Sequence, residues 1–271
     1  WILIFTTVWV SGGARTGTSQ AVKKVSEFYL EELAGRRAQV VSEELKNKFS
    51  YMENALDILD ASYLESQETL RAFLGKVKKL YGVDKFALVD ENGIVYTEHS
   101  TTSGLSRYGF LSEELTEPVI RISSLYGAKK QVVLAVPVED IFFRGAQIKV
   151  CFIQINIDEM LSSLTLQTSH NETLCNLYYR NGESLTNDAF GCLRGGSNIL
   201  KELKEAEFGD GYTLGQLEDD FADGREGQVS FHYRGSKEDL CYIPVEGTDW
   251  MLAILIQDSV ISEQIRSISS G

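Results

Sequence analysis

Proline is almost missing from this chain, at three of 271 residues, so proline-rich linkers are excluded. Histidine is equally scarce. His99, His170 and His232 stand apart from one another, from any cysteine and from paired carboxylates, which leaves a histidine-based metal or hydrolytic centre without material. There is no H-E-x-x-H, no Walker loop, no G-x-S-x-G and no dinucleotide-binding glycine fingerprint. The four cysteines (Cys151, Cys175, Cys192, Cys241) show no metal-ligand spacing and no C-x-x-C. Basic residues are outnumbered, 26 against 39 acidic, and the net charge of −13 excludes nucleic acid as a partner, because phosphate contacts need clustered Lys and Arg. No cofactor is implied.

With 43% apolar and 24% charged residues the chain is globular, and it is long enough for two domains. Its most informative feature is an internal repeat. Residues 126–139 read Y-G-A-K-K-Q-V-V-L-A-V-P-V-E, and residues 234–246 read R-G-S-K-E-D-L-C-Y-I-P-V-E. An alternating run precedes each and an apolar strand follows each, Ile148–Ile157 and Trp250–Gln257. Each copy opens with an apolar run broken by Asn-Gly, at Asn92-Gly93 and Asn181-Gly182. Both residues tolerate positive φ, so Asn-Gly between strands signals a hairpin. One antiparallel α+β module therefore occurs twice.

Helices frame the modules. From Thr18 to Leu59 there is no proline and one glycine, Gly35, and apolar residues at 22, 25, 29, 33, 40, 45, 49, 52, 56 and 59 predict one helical stripe. A helix of that length spans ~60 Å. A second helix is predicted over Gln67–Tyr81, a short one over Asp158–Leu166, and another near Ile199–Glu207. Predicted strands of the first module are Phe86–Asp90, Ile94–Glu98, Val119–Leu125, Val132–Val138 and Ile148–Ile157.

Trp1–Val10 carries no charge and is too short to cross a bilayer alone, so it is expected to be the outer end of a transmembrane helix. Acid gathers between Glu202 and Glu226, which reads as a solvated face with loops. Within it, Asp219–Gly224 fails as a calcium loop, since Phe221 takes a ligand position, and reads as an acidic turn. Cys151 and Cys241 fall in apolar strands as buried thiols. Cys175 and Cys192 are the only pair close in sequence, and free thiols are expected there ahead of the alternative, a disulfide between them.

The layout of long helix, two PAS-like sheets in tandem, apolar front and helical exit resembles the double Cache extracytoplasmic sensor domain. The V-D-E-N-G-I-V-Y hairpin, the paired P-V-E strand ends and W-M-L-A-I-L-I-Q followed by D-S-V-I-S-E-Q-I carry the resemblance. It implies an α+β fold with the long helix packed along both modules. The expected division is residues 1–17 as transmembrane end and linker, 18–83 as stalk helix and second helix, 84–166 as membrane-distal module, 167–257 as membrane-proximal module and 258–271 as exit helix. It also implies a small-molecule sensor outside the membrane, homodimeric in the full receptor, with a histidine kinase as the leading expectation for the output. A diguanylate cyclase, a chemoreceptor or a ligand-free spacer are the alternatives.

The same resemblance puts the ligand over the distal sheet, under the connection Thr97–Pro118, which is longer than packing needs. Arg107 offers a planar fork suited to a carboxylate-bearing ligand, and Tyr96, Tyr108 and Tyr126 offer apolar walls with polar tips. Singly, each is more often a surface charge or partial core; the group carries the reading. Amino-acid-binding members carry an Arg closely followed by Trp-Tyr, then a Tyr and a late Asp. Here Arg107-Tyr108 has no Trp, and Asn156 stands where the Asp is expected, so a ligand without an α-ammonium group fits as well.

Overall fold

The structure is a computed structural model that describes residues 2–104, 108–112, 114–123, 130–164, 173–186 and 189–257. Side chains at 2–20, 22, 110, 112, 162–164 and 173 are outside that description. One helix, α1 (Ile2–Asp57), runs for 56 residues, starting well before the predicted Thr18 and passing Gly35 without interruption. Among the described residues no helix is long and apolar enough to cross a membrane.

Two compact units share α1. One contains Val40–Leu166 with Leu185–Asn187, and the other Trp1–Gln39, Gln167–Ser184 and Asp188–Gly271. The buried face follows the predicted stripe at Leu45 and Met52 of α1, and at Leu59 just past its end. It departs from the stripe nearer the N-terminus, where Val25, Tyr29 and Val40 are exposed and Leu30, Ala34, Ala38 and Val41 are buried. Alanines let a helix approach its support closely, so in that half the large apolar residues were the wrong guide to its phase.

In the first unit α2 (Gln67–Tyr81) is fixed at both ends. Ser66 accepts a hydrogen bond from Thr69 N while Thr69 caps Ser66 in return, and Gly82 closes the helix in the left-handed conformation. Leu70, Phe73, Leu74 and Val77 are its buried side, packed on β1. The strands are β1 (Lys85–Asp90), β2 (Ile94–Tyr96), β3 (Thr101–Ser103), β4 (Val119–Ser123), β5 (Gln131–Pro137), β6 (Phe142–Phe143) and β7 (Ala146–Asn156). They form an antiparallel sheet of order β3-β2-β1-β7-β5-β4, with β6 paired to β7. Gly93 takes φ 75° in the predicted hairpin. The connection after β2 is not plain loop: it contains β3 and a 3-10 turn at Gly109–Ser112. The helix α3 (Ile157–Leu164) ends the unit, begun by Asn156, whose side chain accepts from Asp158 N at 2.9 Å.

The second unit has β8 (Thr173–Tyr179), α4 (Ile199–Glu202), β9 (Glu207–Phe208), α5 (Leu214–Asp223), β10 (Gly227–Tyr233), β11 (Ser236–Pro244) and β12 (Trp250–Gln257), in sheet order β8-β12-β11-β10-β9. The second Asn-Gly turn forms, with Gly182 at φ 84°, but among the described residues it is followed by single bridges rather than a paired strand, Tyr178 to Ser184, Glu183 to Asn198 and Phe190 to Leu193. The acidic segment is not a turn. Residues 214–223 are helix α5, capped by the Thr213 side chain and by left-handed Gly224. Its Phe221 and Leu217 join Phe231, Tyr242 and Leu255 in the core, and its Asp220 accepts from Tyr242 Oη at 2.7 Å and Arg225 Nε at 3.0 Å.

All four cysteines are free. Burial raises each thiol: Cys151 strongly, Cys175 against a lowering pull from Arg37, and Cys192 and Cys241 to about 12.

Two predictions follow from this packing. A Cβ at Gly35 would lie 4.0 Å from Ile243 Cδ1, an ordinary contact. Gly35→Ala should therefore stabilise the chain by ~0.5–1 kcal/mol through helix propensity, read from urea unfolding, and a loss would contradict the free space seen there. Second, the unfolded chain gives up its thiol protons near pH ~8.5, well before the folded one, so the unfolded state binds fewer protons above that pH. Stability should be level below pH ~8.5 and fall as pH rises toward 12, and a urea midpoint that rises over that window would contradict the burial.

Candidate ligand site

One face of the first sheet carries a set of polar groups at the end of an apolar floor. The register aligns Lys85 with Gln154 and Ala87 with Phe152 across β1 and β7, then Gln154 with Val133 and Phe152 with Ala135 across β7 and β5. Arg121 of β4 aligns with Val133, and Ser123 with Gln131. Because side chains alternate, Lys85, Gln154, Gln131 and Arg121 share the face of Ala87, Phe152, Val133 and Ala135. No Asp or Glu of β1, β4, β5 or β7 stands on that face among the described residues.

Tyr108 lies over this floor, 3% exposed, in one cluster with Ala87, Val89, Val95, Val133, Ala135, Val150 and Phe152. Its ring tilts against Phe152 at 4.8 Å between centroids. Its amide donates to Gly104 O at 2.9 Å. Gly104 is required by close approach, since a Cβ there would collide with Val95 Cγ2. The Tyr108 hydroxyl accepts from Lys85 Nζ at 2.7 Å and donates to Gln154 Oε1 at 3.3 Å. The Lys85 ammonium also stands 5.5 Å from the centre of the ring. Gln131 Oε1 is buried and accepts no hydrogen bond among the described residues. An unpaired buried acceptor costs ~1–3 kcal/mol, so this oxygen is a place where a donor would be welcome.

The residues singled out in the sequence separate. Tyr108 is on the polar face. Tyr96 follows Val95, which faces Tyr108, and so points to the opposite side of the sheet. There it donates to Asp90 Oδ2 at 2.8 Å and meets Phe143 edge-on at 5.2 Å. Burial, then Asp90, raises its hydroxyl to about 12. Arg107 and Tyr126 lie outside the described residues. Lys85, Arg121, Gln131 and Gln154 were not singled out. Counting alternation from the apolar positions of the predicted strands would have found them on one face.

No family model matches the chain, and no curated protein matches it in sequence. Solved structures do resemble it. The ligand-binding domain of the Pseudomonas aeruginosa PAO1 amino acid chemoreceptor PctB, in complex with L-Arg, has a TM-score of 0.60 and 15% identity, over 90% of this chain and 92% of that one. The sensory domain of the Campylobacter jejuni chemoreceptor Tlp3 with isoleucine bound has a TM-score of 0.56 and 13% identity, over 90% and 97%. The extracellular domain of mmHK1S-Z3, described as a histidine kinase, has a TM-score of 0.64 and 11% identity, over 90% and 98%. At such identities the likeness is one of fold. The chain has the tandem-module fold of extracellular sensor domains, as its sequence led us to expect.

Tyr108 gives a direct test of the floor. Tyr108→Phe should cost ~0.5–1.5 kcal/mol, the worth of its hydrogen bonds, and Tyr108→Ala ~3–5 kcal/mol from the lost ring. Equal effects of the two in urea unfolding would mean that the ring is not packed as described.

Proposed function

We propose that the chain is the small-molecule-sensing part of a membrane signalling receptor, held outside the cytoplasm by flanking helices and homodimeric in the full receptor. The fold shared with chemoreceptor and histidine kinase extracellular domains supports the sensing role, and it supports either output. The stripe of exposed apolar side chains on α1, Val25, Phe28, Tyr29 and Val40, supports pairing with a second copy.

The ligand site in this reading is the Tyr108 face, with Arg107 and Tyr126 of the neighbouring segments completing it and Tyr96 supporting the sheet from behind. The observation that carries the ligand class is the charge of that face: Lys85 and Arg121 stand on its strands, and among the described residues those strands place no carboxylate on it. A small carboxylate answers the positive charge of this face, and a hydroxyl or other donor on it supplies what Gln131 Oε1 lacks. An α-ammonium group finds no counter-charge among the described strand residues of this face, since Asp90 serves Tyr96 on the other side and Asn156 uses its side chain to begin α3. This favours hydroxycarboxylates over amino acids.

A thermal-shift screen of small carboxylates, amino acids and amines should return carboxylates, a ligand at 100 times its Kd adding ~2.7 kcal/mol of stability. Lys85→Met should then weaken the best carboxylate about 10- to 100-fold by calorimetry, the worth of a charge-assisted hydrogen bond. Amino acids as the only hits, or an affinity indifferent to Lys85, would defeat the assignment.

A further inference from the structure

The second unit contains a cavity of about 400 Å³ between α1 and its sheet. That is within the range of small-molecule sites, ~300–1,000 Å³. Its apolar lining comes from Ala34 of α1 and from Cys241 and Ile243 of β11. Three carboxylates line it as well: Glu27 and Glu31, one turn apart on α1, and Glu226 just before β10. Tyr212 contributes an aromatic wall.

The carboxylates are unequally compensated. Glu27 lies 3.8 Å from Lys23 Nζ and accepts from Tyr212 Oη at 3.4 Å. Glu31 and Glu226 have no cationic partner among the described residues. Their charge reaches the cavity wall, where both help burial to raise the Cys241 thiol. Apart from these acids, the chain itself shows what such a lining attracts. The Lys23 ammonium stands 5.4 Å from the centre of the Tyr212 ring while it pairs with Glu27. An alkylammonium between a tyrosine face and a carboxylate is the arrangement that binds organic cations. Lys23 is more than half exposed, at 58%, so its place is open to exchange with a free amine.

A metal ion is the rival occupant. Among the described residues no three His, Cys, Asp or Glu side chains converge as ligands around one point. Carboxylates spread around a part-apolar cavity suit a cation with a hydrocarbon body and separated charges.

We propose that this cavity is a binding site for a short aliphatic diamine, one ammonium taking the Glu27–Tyr212 end and the other satisfying Glu31 and Glu226. The site is independent of the carboxylate site on the first sheet and opposite to it in charge.

The test is calorimetry on the full chain with 1,4-diaminobutane, beside butylamine and calcium chloride. The diamine should bind saturably and more tightly than the monoamine. The double variant Glu31→Gln/Glu226→Gln, altered only at exposed side chains, should lose about 10-fold or more of that affinity, while Lys85→Met should leave it unchanged. Absence of saturable diamine binding, an affinity untouched by the two carboxamides, or calcium binding in place of the diamine would each overturn the proposal.

Discussion

Strand β7 is hydrogen-bonded along both edges, to β1 on one side and β5 on the other, and the first unit depends on that register. A slip of β7 by one residue would turn Phe152 and Gln154 away from Tyr108 and break their alignment with Ala87, Lys85 and Ala135 at both edges at once, because β7 is shared. The register shift between Val89 and Asp90 marks where this rule ends and the hairpin begins. From there Asp90 takes over: its carboxylate accepts from Asn92 N, Ile94 N and Tyr96 Oη. Tyr96 thus fixes the turn that lets β2 return, while Tyr108 covers the floor that β2 helps to make.

What the sequence disclosed followed from local signals strong enough to survive any packing. The V-D-E-N-G-I-V-Y hairpin formed because Gly93 supplies the positive φ that the turn needs. Helix α2 matched its predicted limits because Ser66 and Gly82 close it at both ends. The phase of α1 was legible from Leu45 onward, at Leu45 and Met52 and at Leu59 just past the helix, and not before it. Its buried side uses Ala34, Ala38 and Ala55, and even Arg37 at 3% exposure, while Phe28 and Val25 face outward. Hydrophobicity cannot reveal a face chosen for small size.

Helix α5 was hidden for an electrostatic reason. Asp219, Asp220 and Asp223 crowd its C-terminal end, where the helix dipole disfavours negative charge. Tertiary contacts offset that cost, since Tyr242 and Arg225 both donate to Asp220. Gly227 makes the arrangement fit, because a Cβ there would strike the Tyr242 hydroxyl. The caps were visible all along, Thr213 before the helix and Gly224 after it, and they outweighed the charges. Of the ligand face, the sequence showed Tyr108 through its long connection. It concealed Lys85, Gln131 and Gln154, because a polar residue at a strand end looks the same whether it faces solvent or a floor.

The two units have the same kind of sheet and opposite polar linings, and the difference lies in which elements supply the charges. On the first sheet the cations come from the strands, Lys85 and Arg121, and the group above them is Tyr108 of the connecting segment. An anion at the proposed site would compete with the Tyr108 hydroxyl for Lys85, and so would act on the connecting segment through the Lys85–Tyr108–Gln154 chain. In the second unit two of the three carboxylates belong to α1 itself, and Gln228 Nε2 already holds that helix through Glu27 O at 2.8 Å. A cation at the proposed acidic site would screen carboxylates carried by helix and sheet alike, so its binding energy would act on α1 itself, whereas a ligand on the basic face would act first on the segment that carries Tyr108.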